Sequence, residues 1–123
     1  MKIVAKTDVG MVRESNQDSY TTGELPNGVA WAVVCDGMGG AAGGNVASST
    51  AVKVIAEQIT SSFRPGMSAN SIKNMMVSAI NAANISVYDI SCSNSELYGM
   101  GTTVVCAIVM EHIAYIAHAG DSR

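Results

Sequence analysis

Hydrophobic positions along this chain change their spacing twice. Val29-Ala30-Trp31-Ala32-Val33-Val34-Cys35 is an unbroken apolar run, the pattern of a strand buried on both faces. A Pro26-Asn27-Gly28 turn precedes it and closes a hairpin with the segment from Ser19 to Glu24. Beyond the glycines at 39, 40, 43 and 44 the period lengthens. Ala47, Ala51, Ile55 and Ile59 recur every four positions, along one helix face, with Lys53 and Glu57 left to water. Arg64-Pro65-Gly66 stops this helix. A second helix is predicted from Asn70 or Ser71, with Ile72, Met76, Ala79, Ile80, Ala83 and Val87 as its apolar stripe. The pattern then returns to strands, Thr103 to Met110 and Ile113 to Ala119, joined by a tight Glu111-His112 connection. Strands, two helices, then a hairpin predict an α+β fold and not alternating βαβ units, with the helices laid on the strands. No internal repeat or low-complexity segment interrupts the order.

Composition narrows the class. The 123 residues suffice for one domain with a hydrophobic core and are too few for two ordinary ones. At 48% hydrophobic and 14% charged, the chain is globular and not disordered. A net charge of −3 argues against nucleic-acid binding by general electrostatics. Any phosphate ligand must therefore be attracted locally, by metal ions or a placed arginine. Asp8 leaves no room for the apolar stretch of a signal peptide, and no run approaches the length of a membrane span. Cys35, Cys92 and Cys106 are odd in number, far apart and without C-x-x-C spacing. Reduced, mostly buried thiols in a cytoplasmic protein are expected, with no zinc site and no disulfide framework.

Candidate chemistry gathers in four polar clusters. Asp36 ends the most apolar strand and is followed by Gly37-Met38-Gly39-Gly40. A carboxylate there is costly unless paired or bound to a cation; the alternative is an ordinary Asp-Gly turn. Gly37-Met38-Gly39-Gly40-Ala41-Ala42 also fits the dinucleotide fingerprint. That reading wants a parallel strand after the helix, ending in an acidic residue, where a second helix is predicted instead. In the cluster from Gly10 to Ser19, Arg13 could bind phosphate through its planar fork and Asp18 could support a metal or its water; taken locally, a solvated loop with a surface ion pair explains them better. Thr102 and Thr103 follow Gly101 at a strand start, where structural use is sufficient for them. Asp121, like Asp36, ends an apolar strand. Oxygen-only ligands of this kind suit magnesium or manganese.

Arg13-x-x-Asn16-Gln17-Asp18, then Asp36-Gly37-Met38-Gly39-Gly40 running to Ala47-Ser48, then Gly101-Thr102-Thr103, then Gly120-Asp121-Ser122-Arg123 together resemble the metal-dependent serine/threonine protein phosphatases of type 2C. The Met-Gly-Gly form is similar to the bacterial branch. The resemblance covers the whole chain in order, and its specificity lies in four spaced motifs.

The resemblance implies a four-layer α/β/β/α sandwich, two antiparallel sheets flanked by helix pairs, with this chain as its front part. It implies hydrolysis of phosphoserine and phosphothreonine in proteins by a bridging water activated between two Mg²⁺ or Mn²⁺ ions. By motif, Asp36 would bridge the ions, Gly37 would add its backbone carbonyl, and Asp18 would hold metal-bound water. Arg13 would grip the substrate phosphate, and Asp121 matches a position linked to a third, weaker metal. No nucleophilic serine, threonine or cysteine is required, and His112 and His118 match no catalytic position. Bacterial members often carry His and Glu where this chain has Ala41 and Asn45, and Gln17 stands where others have Glu. The family's remaining metal aspartates belong to a back half that residues 1–123 do not contain. The expectation is an incomplete phosphatase domain, cut from a longer one, which would act on phosphorylated proteins opposite a serine/threonine kinase when complete. Alone it is expected to be inactive. The alternative is a non-catalytic folding or interaction fragment that self-associates through exposed strand edges.

Overall fold

Asn27 and Gly28, at φ 66° and 73°, turn the chain between β1 (Asp18–Leu25) and β2 (Val29–Met38). This is the hairpin that Pro26-Asn27-Gly28 predicts. The structure, a computed structural model, describes residues 18–120; the side chains at 18 and 40–42 lie outside that description. Two helices follow, α1 (Gly40–Ser62) and α2 (Ala69–Ser93), then β3 (Gly101–Val109) and β4 (Ala114–Ala119). The strands form one antiparallel sheet in the order β1-β2-β3-β4. With no parallel pair among the described strands, the dinucleotide alternative has no support in the described fold. The class is α+β.

Both helices lie on one face of the sheet. Val33, Cys35, Cys106 and Ile108 from the strands pack in one core with Ala47, Ala51, Ile55 and Ile59 of α1 and Ile72, Met76, Ala79 and Ala83 of α2. These are the apolar stripes that the four-residue spacing predicts, except that Ile80 is only partly buried. The helix α2 starts one residue earlier than predicted because Ser68 caps it, its hydroxyl accepting from the Ser71 N–H at 3.1 Å. Phe63 N–H closes the last turn of α1 on Ile59 O at 3.0 Å, and Pro65 prevents continuation. The strand β3 starts two residues before Thr103, and Met110 N–H closes the β3–β4 turn on Ile113 O at 2.8 Å. One 3-10 turn, Ser95–Leu97, has no counterpart in the sequence reading.

Burial along β2 differs from the expectation of a strand covered on both sides. Val33 and Cys35 are fully buried under the helices, whereas Val34 and Met38 are 45% and 47% exposed. Side chains alternate across a strand, and among the described residues only one face of the sheet has a cover. The described residues thus make two of the four expected layers, one helical and one β. No helix among them is long and apolar enough to cross a membrane.

Candidate metal centre

Alternation along β2 decides which way its C-terminal end presents its groups. Cys35 and Gly37 lie toward the helices and are buried, while Asp36 between them belongs to the uncovered face at intermediate exposure. Its Oδ1 is screened from solvent. The strand continues two residues past Asp36, so this carboxylate stands on the sheet rather than in the turn after it.

Register supplies the neighbours. Asp18 of β1 lies directly opposite Asp36, and on the other side Thr103 of β3 does the same. Val104 pairs with Ala119, so Gly120 follows beside Thr103; with φ at 86°, a Cβ on it would stand 3.1 Å from the Thr103 Cα. Two of the four sequence clusters and the edges of the other two therefore meet at one end of the sheet. Arg13 and Asp121 lie outside the described residues, as does the side chain of Asp18.

Three contacts that the sequence reading did not single out fix this end of the sheet. Gly37 backs onto α1 so closely that a Cβ on it would overlap the Gly44 carbonyl oxygen. Only glycine permits that approach. Ser19, next to Asp18, is hydrogen-bonded through its hydroxyl to that of the buried Ser48 in α1 at 2.9 Å. Thr102 donates its hydroxyl toward the Asp36 carbonyl oxygen at 3.2 Å and the Thr103 carbonyl oxygen at 2.8 Å. Gly44 and Ser48 stand in the stretch from the glycine motif to the helix, and Thr102 in its own motif. The signal was present as motif membership, but a sequence does not show which partner a small or hydroxyl residue touches across 29 or 66 positions.

Two of the three cysteines, Cys35 and Cys106, are packing residues. Cys35 and Cys106 are buried free thiols and Cys92 is an exposed one. Burial pushes the Cys35 thiol up to about 12 and the Cys106 thiol to about 11. Neither offers a thiolate at neutral pH. His112 Nε2 lies 3.6 Å from the carboxylate of the neighbouring Glu111, both exposed, and His118 lies exposed on β4, paired with Val105.

A carboxylate with backbone carbonyls nearby is an all-oxygen donor set, which suits Mg²⁺ or Mn²⁺ in kind. Among the described residues no group of three or more His, Cys, Asp or Glu could hold a metal ion. The donors present fit one side of such a site.

The profile of the family described as Protein phosphatase 2C matches residues 12–123. This chain belongs to the protein phosphatase 2C family. It is 36% identical over 124 residues to a putative protein phosphatase 2C-type of Streptococcus pyogenes, covering 100% of this chain and 49% of that protein. The fold matches the S. agalactiae serine/threonine phosphatase structure with a TM-score of 0.84 at 30% identity, over 96% of this chain and 48% of that one. It also matches the catalytic domain of the serine/threonine protein phosphatase PstP, solved in complex with two manganese ions. There the TM-score is 0.73 at 29% identity, over 96% of this chain and 47% of that one. The chain spans about half the length of the curated relatives it matches, 49% and 46% of the first two.

Proposed function

We propose that this chain supplies one side of a two-metal centre that hydrolyses phosphoserine and phosphothreonine in proteins. The observation that carries this reading is the register that sets Asp18 opposite Asp36, in a chain of the protein phosphatase 2C family. The PstP structure with two manganese ions supports a metal of that kind. In this reading the Asp36 carboxylate would bridge two ions and the Gly37 carbonyl would ligate one of them. Asp121 would contact a third, weaker ion. Asp18 would hold metal-bound water by accepting a hydrogen bond from it, and Arg13 would bind the substrate phosphate through its fork. Bound Mg²⁺ or Mn²⁺ supplies water activation and neutralises phosphate charge. No cysteine nucleophile enters, because the nearest thiol, Cys35, is buried and held protonated.

The uncovered face of the sheet, with Tyr20, Val34 and Ile116 exposed on it, is where a second antiparallel sheet of a four-layer sandwich would pack. The substrates on this reading are phosphorylated proteins, opposite a serine/threonine kinase, and the free cysteines suit the cytoplasm. The isolated chain is expected to turn over little substrate, since its described residues hold no three-ligand cluster. The second reading, an interaction fragment that self-associates, rests on the same exposed apolar face and on the outer edges of β1 and β4, which pair with no other described strand.

A chimera tests the first reading. This chain replaces the matching half of the S. agalactiae phosphatase, and hydrolysis of a phosphopeptide is measured with Mn²⁺. A folded chimera should be active and lose that activity on Asp36→Asn. A folded chimera whose activity does not depend on Asp36 would overturn the assignment.

A further inference from the structure

One planar peptide unit joins the Cα atoms of Asp36 and Gly37, so whatever holds it fixes the points from which the Asp36 side chain and, one unit on, the Gly37 carbonyl leave the strand. The carbonyl of that unit is Asp36 O, and the hydroxyl of Thr102 reaches that oxygen at 3.2 Å across the β2–β3 ladder, where Gly37 pairs with Thr102. A threonine hydroxyl has one proton. Thr102 shares it between Asp36 O and, at 2.8 Å, Thr103 O, so one side chain ties the peptide of β2 to that of β3. Gly37 backs onto Gly44 on the helix-covered face of the sheet, and Thr102, its ladder partner, projects from that same face. The peptide is thus backed by a helix and tied to the neighbouring strand by a hydroxyl.

The tether adds to a β2–β3 ladder in which Asp36 lies opposite Thr103 and Met38 opposite Gly101. A cavity of about 400 Å³ opens beside Thr102, lined also by Met38, Met100, Gly101, Val104 and Gly120. Backbone that borders empty space gains less from packing and depends more on its hydrogen bonds.

The geometry points to Thr102 as a positioning residue: its hydroxyl holds the Asp36–Gly37 peptide in the orientation that presents the Asp36 carboxylate and the Gly37 carbonyl to a metal ion. The tether stands on the hydrogen-bond geometry alone, while its consequence for metal rests on the function proposed above.

The test compares Thr102→Val, which keeps the shape and loses the hydroxyl, with Thr102→Ser, which keeps the hydroxyl and loses the methyl. Three quantities are read on the 123-residue chain: the carbonyl carbon shift of Asp36, amide exchange at Gly37 and Met38, and the Mn²⁺ concentration that broadens those resonances. Thr102→Val should move the Asp36 carbonyl shift toward that of a carbonyl with one hydrogen bond fewer. It should speed local exchange roughly five- to tenfold, the equivalent of one hydrogen bond, and raise the half-broadening Mn²⁺ concentration by a similar factor. Thr102→Ser should stay within about twofold of wild type in each, which a role limited to methyl packing would not allow. If the valine variant does not fold because a methyl replaces the hydroxyl among polar neighbours, Thr102→Ala removes the hydroxyl without that methyl, and Thr102→Ser controls for the lost Cγ. A valine or alanine variant with unchanged shift and exchange overturns the proposal, as does a serine variant equally impaired. Loss of the tether in a chain whose Asp36 never responds to Mn²⁺ upholds the positioning role and refutes the metal reading. An Asp36 that binds Mn²⁺ equally in all variants does the reverse.

Discussion

Replacing Gly37 by alanine puts a methyl group into the backbone of α1. The new Cβ would overlap the Gly44 carbonyl oxygen and stand 2.5 Å from the Gly44 carbonyl carbon and 2.8 Å from its Cα. Carbon atoms at rest sit about 3.5–4.0 Å apart, so strand and helix must separate by roughly 1 Å or more to relieve the contact. Neither side can yield by a rotamer change, because the obstacle is backbone. Separation there loosens Ala47 and Ala51 of α1, which are fully buried in the core with Cys35. Overpacking of a core costs about 1–3 kcal/mol, and a backbone obstacle puts this case at the upper end, about 3 kcal/mol. For a domain of this size that corresponds to a melting temperature lower by roughly 10–20 °C. Thermal unfolding followed by circular dichroism reads it, with Gly101→Ala as the control. Gly101 lies in the neighbouring strand, and a Cβ on it meets nothing nearer than Met38 Cγ at 4.0 Å, so its stability should stay within about 0.5 kcal/mol of wild type. A Gly37→Ala chain that melts with the control would refute the close β2–α1 approach, and with it the reason given for a glycine after Asp36.

Thiol titration of the native chain near pH 8 should find one reactive group, Cys92, and three after unfolding, since Cys35 and Cys106 are buried; prompt reaction of all three in the native chain would contradict their burial. The raised thiols also make stability depend on pH. Folding holds their pKa values at about 12 and about 11 against an ordinary 9.0, so above pH 9 the unfolded chain carries fewer protons than the folded one. Their contribution is fully present below pH 9 and is lost as pH rises toward 11 and 12. Denaturant midpoints should fall across that window, and fall less in a Cys35→Ala/Cys106→Ala chain. Ser48→Ala removes the buried hydroxyl that bonds to Ser19 at 2.9 Å and should cost about 1–2 kcal/mol, read as a lower urea midpoint at unchanged slope; no change would mean that the bond does not hold β1 to α1.

Much of this arrangement is legible in the chain itself, for reasons that differ by element. The helices are legible because Ala47, Ala51, Ile55 and Ile59 repeat at the helical period and Arg64-Pro65-Gly66 marks a stop. The Ser68 cap, which starts α2 one residue before the predicted Asn70, is a signal the apolar spacing does not carry. The first hairpin is legible because Asn27 and Gly28 accept positive φ. Burial of β2 is not, since an apolar run says that both faces favour cover and not which face the described helices take. Val34 and Cys35 look alike in sequence, yet one is 45% exposed and the other fully buried. At the site, Asp36 shows itself as a carboxylate out of place in an apolar strand, and the four motifs give it a family. The register that puts Asp18 and Thr103 on either side of it depends on pairing between distant strands. No local pattern of residues encodes that pairing. Gly44, Ser48 and Thr102 act through such contacts and so could be read only as members of motifs.

The central claim is that Asp36 is a metal ligand at the end of this sheet. Paramagnetic broadening of the chain's amide resonances on titration with Mn²⁺ tests it without requiring turnover. Broadening should be strongest at Asp36, Gly37 and Met38 and at their ladder partners Thr102 and Thr103, and Asp36→Asn should abolish it there. Broadening centred elsewhere, or persisting at these residues in the Asp36→Asn chain, would contradict the account.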